Sequence, residues 1–168
     1  GVVAAGTGND IARELGLPVR DADLAVERIL AGRTRRVDAA RHTTGTWEER
    51  WFLGVLAAGF DAVVNERANH WRWPRGPMRY NLAVLRELPV FRPIPYTLVL
   101  DGRRVETDAM LVAVGNGPAY GGGMRVTPDA SFDDGLLDVL ILHGVSTLEF
   151  LRVFPRVFRG AHTDHPAV

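Results

Sequence analysis

Gly6-Thr7-Gly8-Asn9-Asp10-Ile11-Ala12-Arg13 sets the reading of the whole chain. It places a glycine-rich turn between a short apolar run, Val2 to Ala5, and a helix that stops at Gly16 with Pro18 beyond it. Val2 to Ala5 read as the end of a buried strand. The two glycines permit φ > 0 and close backbone approach, and Asn9 or Asp10 can cap the helix. Backbone N–H groups at such a helix start favour an anion, so the turn reads as a phosphate holder. A plain left-handed turn with a capped helix is the competing reading.

Outward from this turn, Ala22 to Ala31 has Leu24, Ile29 and Leu30 near helical spacing and is closed by Gly32. From about Arg35 the pattern changes to short strands, Arg35 to Arg41 and Arg50 to Ala58, with Thr43-Thr44-Gly45 as turn material. Two helices are expected next, Asp61 to Trp71 and Pro77 to Leu88. A hairpin follows in which Tyr96 to Leu100 turns at Asp101-Gly102 into Arg103 to Thr107. Met110 to Val114 and Leu137 to Leu142 read as buried strands. Ser146 with Glu149 three residues on forms a capping box for a last helix reaching Phe158, kinked at Pro155.

Composition excludes several classes. The 168 residues carry 20 basic and 20 acidic side chains, so no global field draws the chain to nucleic acid. Every basic residue is Arg, which reads as compositional bias. With no cysteine, disulfides, thiolate metal sites and cysteine nucleophiles are ruled out. No apolar run approaches the roughly 18 residues of a membrane span, and no secretory signal is visible. The expected compartment is the cytoplasm, with peripheral contact at the inner face of the membrane.

The later motifs give the family. Asn65 follows Gly59-Phe60-Asp61-Ala62, then come Gly115-Asn116-Gly117, Gly121-Gly122-Gly123-Met124, and Pro128-Asp129-Ala130-Ser131-Phe132-Asp133-Asp134-Gly135-Leu136-Leu137-Asp138. In this order and spacing, from Gly1 to about His162, the chain resembles the bacterial diacylglycerol kinases, lipid kinases related to the sphingosine kinases. The resemblance implies an α+β fold. Residues 1–34 would be the tail of an α/β nucleotide domain, and 35–168 a β-rich, sandwich-like lipid-binding domain with flanking helices, cut short at its C-terminus. It implies ATP and Mg²⁺ as cofactors and a diacylglycerol-like lipid substrate, with a sphingoid acceptor or a non-catalytic lipid-binding module as alternatives. Oligomeric state is left open. The family's Gly-Gly-Asp-Gly-Thr loop and its Asp-Gly-Glu, whose aspartate is taken as the general base, do not occur here. Asp101-Gly102-Arg103 is no substitute for the latter. The chain therefore reads as an internal piece of a longer kinase, with the catalytic base expected beyond Val168 and no catalytic residue assigned within it.

Site expectations follow from both sources. Gly6, Thr7, Gly8, Asn9 and Asp10 are the nucleotide contacts, Thr7 through its hydroxyl. Asp10 either caps the helix or acts through water on the nucleotide's Mg²⁺, as its counterpart is thought to do in relatives. Asp129, Asp133, Asp134 and Asp138 crowd hard oxygens suited to Mg²⁺ or Ca²⁺. Counted from Asp129, an EF-hand fails, since the sixth residue is Asp134 and the twelfth Leu140. A solvated turn, with Asp133 capping, is the alternative. The resemblance implies a structural magnesium held by the Asp134 side chain and the backbone oxygens of Ser131 and Leu136. Gly121 to Gly123 read as a bulge rather than a ligand contact. Arg67, His70, Trp71, Arg72, Trp73, Arg75, Arg79 and Tyr80 mix basic and interfacial aromatic residues suited to a headgroup layer. Core packing of the two Trp, with Arg on a solvated face, is the other reading. His162-Thr163-Asp164-His165 is read as a chain tail without a metal role.

Overall fold

The computed structural model describes residues 1–43, 45, 48–71, 73 and 77–168, with the side chains of 77–81 outside the description. It mixes helices with strands, as the α+β reading expects. In chain order the elements are α1 (Asp10–Glu14), α2 (Ala22–Leu30), β1 (Ala40–Thr43), β2 (Glu49–Phe52), β3 (Val55–Gly59), α3 (Phe60–His70) and α4 (Pro77–Glu87). They continue with β4 (Ile94–Leu100), β5 (Arg103–Ala109), β6 (Leu111–Gly115), β7 (Asp138–Leu142), α5 (Thr147–Val153) and a 3₁₀ turn over Phe154–Arg159. Strands β1 and β2 pair antiparallel, as do β4 and β5, and β3, β6 and β7 form a sheet with β6 in the middle. Val112 and Ala113 of that central strand are buried.

Chain contacts divide into two units. The first comprises Gly1–Leu56, Val114–Val139 and Val157–Ala161, and the second Ala57–Ala113, Leu140–Arg156 and His162–Val168.

In the second unit, Phe60, Val64 and Ala68 recur every four residues and place one stripe of α3 in the core. Ala83, Val84, Leu88, Met110 and Phe150 meet that stripe. Phe60 lies edge-on to Phe91 at 5.3 Å and to Phe150 at 5.7 Å. Each buried Phe of this kind is stabilised by about 1.5–3 kcal/mol of removed apolar surface. Gly59, at φ 92°, starts α3 where a side chain would run into the Met110 carbonyl, so the position requires glycine. In the hairpin, Asp101 (φ 49°) and Gly102 (φ 82°) make the two-residue turn expected from the sequence. The ladder extends beyond that expectation to Ile94 opposite Ala109. Tyr96, Leu98 and Leu100 alternate inward between exposed neighbours.

Several local expectations are corrected. Arg35 to Ala39 form no strand, because this segment is held by loop contacts in the first unit: Asp38 N–H donates to Phe132 O at 2.6 Å. The run Arg50 to Ala58 breaks at Leu53-Gly54, whose carbonyls accept from Asn116 instead of a neighbouring strand. Val2 to Ala5 are no buried strand end. Only Ala4 bridges, to Val19, while Val2 and Val3 are half exposed. The last helix has its capping box, with Ser146 Oγ accepting from Glu149 N–H, but α5 ends at Val153. Pro155 has no N–H to continue it, so the chain tightens into the 3₁₀ turn.

Candidate functional site

Gly6 and Gly8 do not use positive φ. That conformation falls to Asn9 (φ 57°), which stands at the N-cap of α1 without capping it. Its amide turns back and donates to Gly6 O at 2.7 Å, closing the turn on itself. Neither expected cap therefore forms, and α1, at five residues, contributes little macrodipole. Phosphate recognition at this turn would rest on its local N–H groups and the exposed Thr7.

Asp10 has a partner that the sequence did not reveal. Its Oδ2 accepts from Gly122 N–H at 2.7 Å, across 112 residues, while Oδ1 faces Arg13 Nη1 at 3.4 Å. The side chain is only 12% exposed, so the charge-assisted bond fixes it firmly. Gly8 lies beside the same loop, where an added Cβ would come 3.6 Å from Gly122 N and 3.3 Å from Asp10 Oδ2. Two glycine loops thus close on one carboxylate. The Gly121 to Gly123 run is a turn and not the expected bulge. Tyr120 and Met124 exchange both backbone hydrogen bonds at 3.0 Å, and the three glycines between them take φ of 66°, 88° and 109°. Beneath this loop, Arg125 Nη1 contacts both oxygens of Glu14, at 3.1 and 3.3 Å, tying it to the end of α1.

Gly115-Asn116-Gly117 is a packing device. Asn116 is 2% exposed, and its amide donates to Asp38 O at 3.0 Å and Leu53 O at 3.2 Å. A Cβ at Gly115 would strike Thr127, and one at Gly117 would strike the Phe132 ring. Thr127 Oγ1 donates to Gly117 O at 3.0 Å. The motif welds Asp38, the Leu53-Gly54 break and the acidic loop into one body.

In that acidic loop Asp134 Oδ1 accepts from Leu136 N–H at 2.9 Å, and Gly135 N–H donates to Asp38 Oδ2 at 2.8 Å. Asp38 is a contact that no sequence signal marks. Asp133 does not cap. It pairs with Arg35 at 2.7 Å and accepts from Ser131 Oγ at 2.8 Å, and these contacts hold its carboxyl below the usual range. Burial, then the charges of Asp134 and Asp129, push the Asp138 carboxyl up. Burial is the larger cause, since it penalises the charged form, and the two neighbouring carboxylates add to it. Among the described residues no three His, Cys, Asp or Glu side chains converge to hold a metal.

Of the basic and aromatic stretch, Arg67 pairs with the buried Glu87, His70 Nδ1 contacts Glu66 O at 2.7 Å, and Trp71 packs on the core. Trp73 is 82% exposed. Arg72 and Arg75 lie outside the described residues, as do the side chains of Arg79 and Tyr80. Among the described residues no helix is long and apolar enough to cross a membrane.

The mixed helix and strand architecture, with a sandwich-like C-terminal part, matches that of known proteins. Residues 54–168 match the YegS C-terminal NAD kinase beta sandwich-like domain, and residues 1–42 match the diacylglycerol kinase catalytic domain. The chain belongs to the diacylglycerol kinase family. It is 45% identical over 165 residues to a diacylglycerol kinase of Mycobacterium tuberculosis, covering 98% of this chain and 53% of that protein. With a Bacillus subtilis diacylglycerol kinase the identity is 29%, with the same coverage. A crystal structure of a diacylglycerol kinase from Bacillus anthracis superposes with a TM-score of 0.62 at 29% identity, over 93% of this chain and 47% of the other. The chain spans about half the length of the curated relatives it matches.

Proposed function

We propose that this chain belongs to an ATP-dependent lipid kinase that transfers the γ-phosphoryl group to the hydroxyl of diacylglycerol or a related lipid. The observation that carries the reading is the turn Gly6 to Asp10, exposed at Thr7 and fixed by Asp10 to a second glycine loop. Phosphoryl transfer needs positioning and charge neutralisation more than covalent chemistry from the protein. Gly6, Thr7, Gly8 and Asn9 would position nucleotide phosphate through backbone N–H groups and the Thr7 hydroxyl. Asp10 would hold that turn in register and face the water shell of the nucleotide's Mg²⁺. Bound ATP supplies the phosphoryl group and Mg²⁺ neutralises its charge. No residue of this chain is assigned as the catalytic base.

A structural magnesium at Asp134, Ser131 and Leu136 belongs to the same proposal. The donor set is all oxygen, as Mg²⁺ prefers, and the Asp134 and Asp129 carboxylates lie near enough to act on Asp138. The division into a nucleotide-domain tail at 1–34 and a lipid-binding domain at 35–168 is part of it too. So is peripheral contact with the cytoplasmic membrane face, supported by the exposed Trp73.

The test is transfer of radiolabelled γ-phosphate by the intact protein to diacylglycerol in mixed micelles, with sphingosine as the competing acceptor. Thr7→Ala is expected to lower kcat/KM at least tenfold with an unchanged circular dichroism spectrum. Absence of label in any lipid hydroxyl, or full activity in Thr7→Ala, overturns the reading.

A further inference from the structure

A cleft of about 480 Å³ in the second unit is lined by Ser146, Leu148, Glu149, Arg152, Arg156 and His165. Arg152, near the end of α5, and Arg156, in the 3₁₀ turn, are four residues apart, and both are exposed. Both line the one cleft, so two positive charges border the same space. The carboxylate available in the cleft is Glu149, and both its oxygens are engaged. Oε2 accepts from Ser146 N–H at 3.4 Å in the capping box, and Oε1 faces His165 Nε2 at 3.5 Å.

The orientation of His165 follows from its other nitrogen. Nδ1 accepts from Ala167 N–H at 3.3 Å, so the neutral ring carries its proton on Nε2, directed at Glu149. His165 is itself seated by the C-terminal segment, which His143 N–H anchors at Ala167 O, 2.8 Å away. Glu149 is therefore committed to fold contacts. Among the described residues no carboxylate comes within ion-pair reach of Arg152 or Arg156.

We propose that this cleft is an anion site for a phosphate monoester, held by Arg152 and Arg156. Two guanidinium forks match a dianionic, three-oxygen phosphate better than a monoanionic diester or a carboxylate. Leu148, 60% exposed at the rim, suits a phosphate that carries an apolar group. The phosphate could be free in solution or borne on a lipid, and the chemistry at the two arginines is the same.

The site is tested on the intact protein, with the wild type compared against the double variant Arg152→Ala/Arg156→Ala. Because both side chains are exposed, the double variant is expected to keep the wild-type melting temperature without ligand. Calorimetric titrations would use inorganic phosphate and glycerol 3-phosphate, each with a non-hydrolysable ATP analogue present. Flotation would use phosphatidylcholine vesicles with and without phosphatidic acid. At least a tenfold loss of affinity in the double variant is expected in one arm. Loss in the titrations assigns a free phosphate, as an ester where glycerol 3-phosphate is the titrant that loses affinity, and loss in flotation assigns a lipid-borne one. Wild-type binding in neither arm, or equal binding by wild type and double variant, overturns the proposal. Since the readout is the difference made by Arg152 and Arg156, it stands apart from whether Thr7 contacts nucleotide.

Discussion

Asn116→Ala removes the donor that holds three chain segments together in the first unit. The Asn116 amide, 2% exposed, donates to Asp38 O and Leu53 O. Truncation leaves two carbonyls short of a partner, each at a penalty of about 1–3 kcal/mol, against which local relaxation and entering water recover part. A net loss of about 3 kcal/mol is expected, on the order of a hundredfold in the folding equilibrium. Asn116→Asp separates hydrogen bonding from mere volume. It keeps the shape but turns a carboxylate oxygen toward two carbonyl oxygens, so it should cost more than Ala at pH 7. Burial and those carbonyls would raise the folded pKa of the new carboxyl above the unfolded value. The excess is therefore complete above the folded pKa and fades as pH falls to about 4, the unfolded value. Urea unfolding of the intact protein, followed by fluorescence of its four Trp, reads both variants. If Ala and Asp cost the same at pH 7, or if either costs less than about 0.5 kcal/mol, the bridging account of Asn116 is wrong.

Gly117→Ala drives a methyl into the Phe132 ring and should destabilise by about 1–3 kcal/mol, with Phe132→Leu partly rescuing it in the double variant. Asp134→Ala is expected to abolish the rise in melting temperature that added Mg²⁺ gives the wild type; an unchanged rise would remove Asp134 from the metal site. With chelator present, Asp138→Asn should raise the melting temperature at pH 7. The folded carboxyl of Asp138 titrates above its unfolded value, so its favourable contribution is present below the unfolded pKa and lost as pH rises through the folded one. The gain should therefore vanish near pH 3, and a gain independent of pH would contradict the cause assigned. Asp10→Ala frees Gly122 N–H and should speed amide exchange across Gly121 to Gly123 at least tenfold, whereas Asp10→Asn, which keeps an acceptor, should largely preserve protection.

Elements whose signals are local were legible in the order of residues alone. Asp101-Gly102 fixed the hairpin because a two-residue turn with positive φ at both positions accepts few other residues. The Ser146–Glu149 capping box likewise acts within one turn of chain. The ordered glycine and aspartate motifs pointed to the family. Folding in three dimensions governed whatever depended on partners far along the chain. Whether Arg50 to Ala58 stayed one strand rested on Asn116 taking the Leu53 carbonyl, 63 residues away, and that of Gly54 beside it. Whether Asp10 capped a helix rested on Gly122, and whether Asp133 capped rested on Arg35. A carboxylate or a carbonyl accepts from whichever donor the fold brings within about 3 Å. That donor's identity is written in the packing, not in the neighbouring residues.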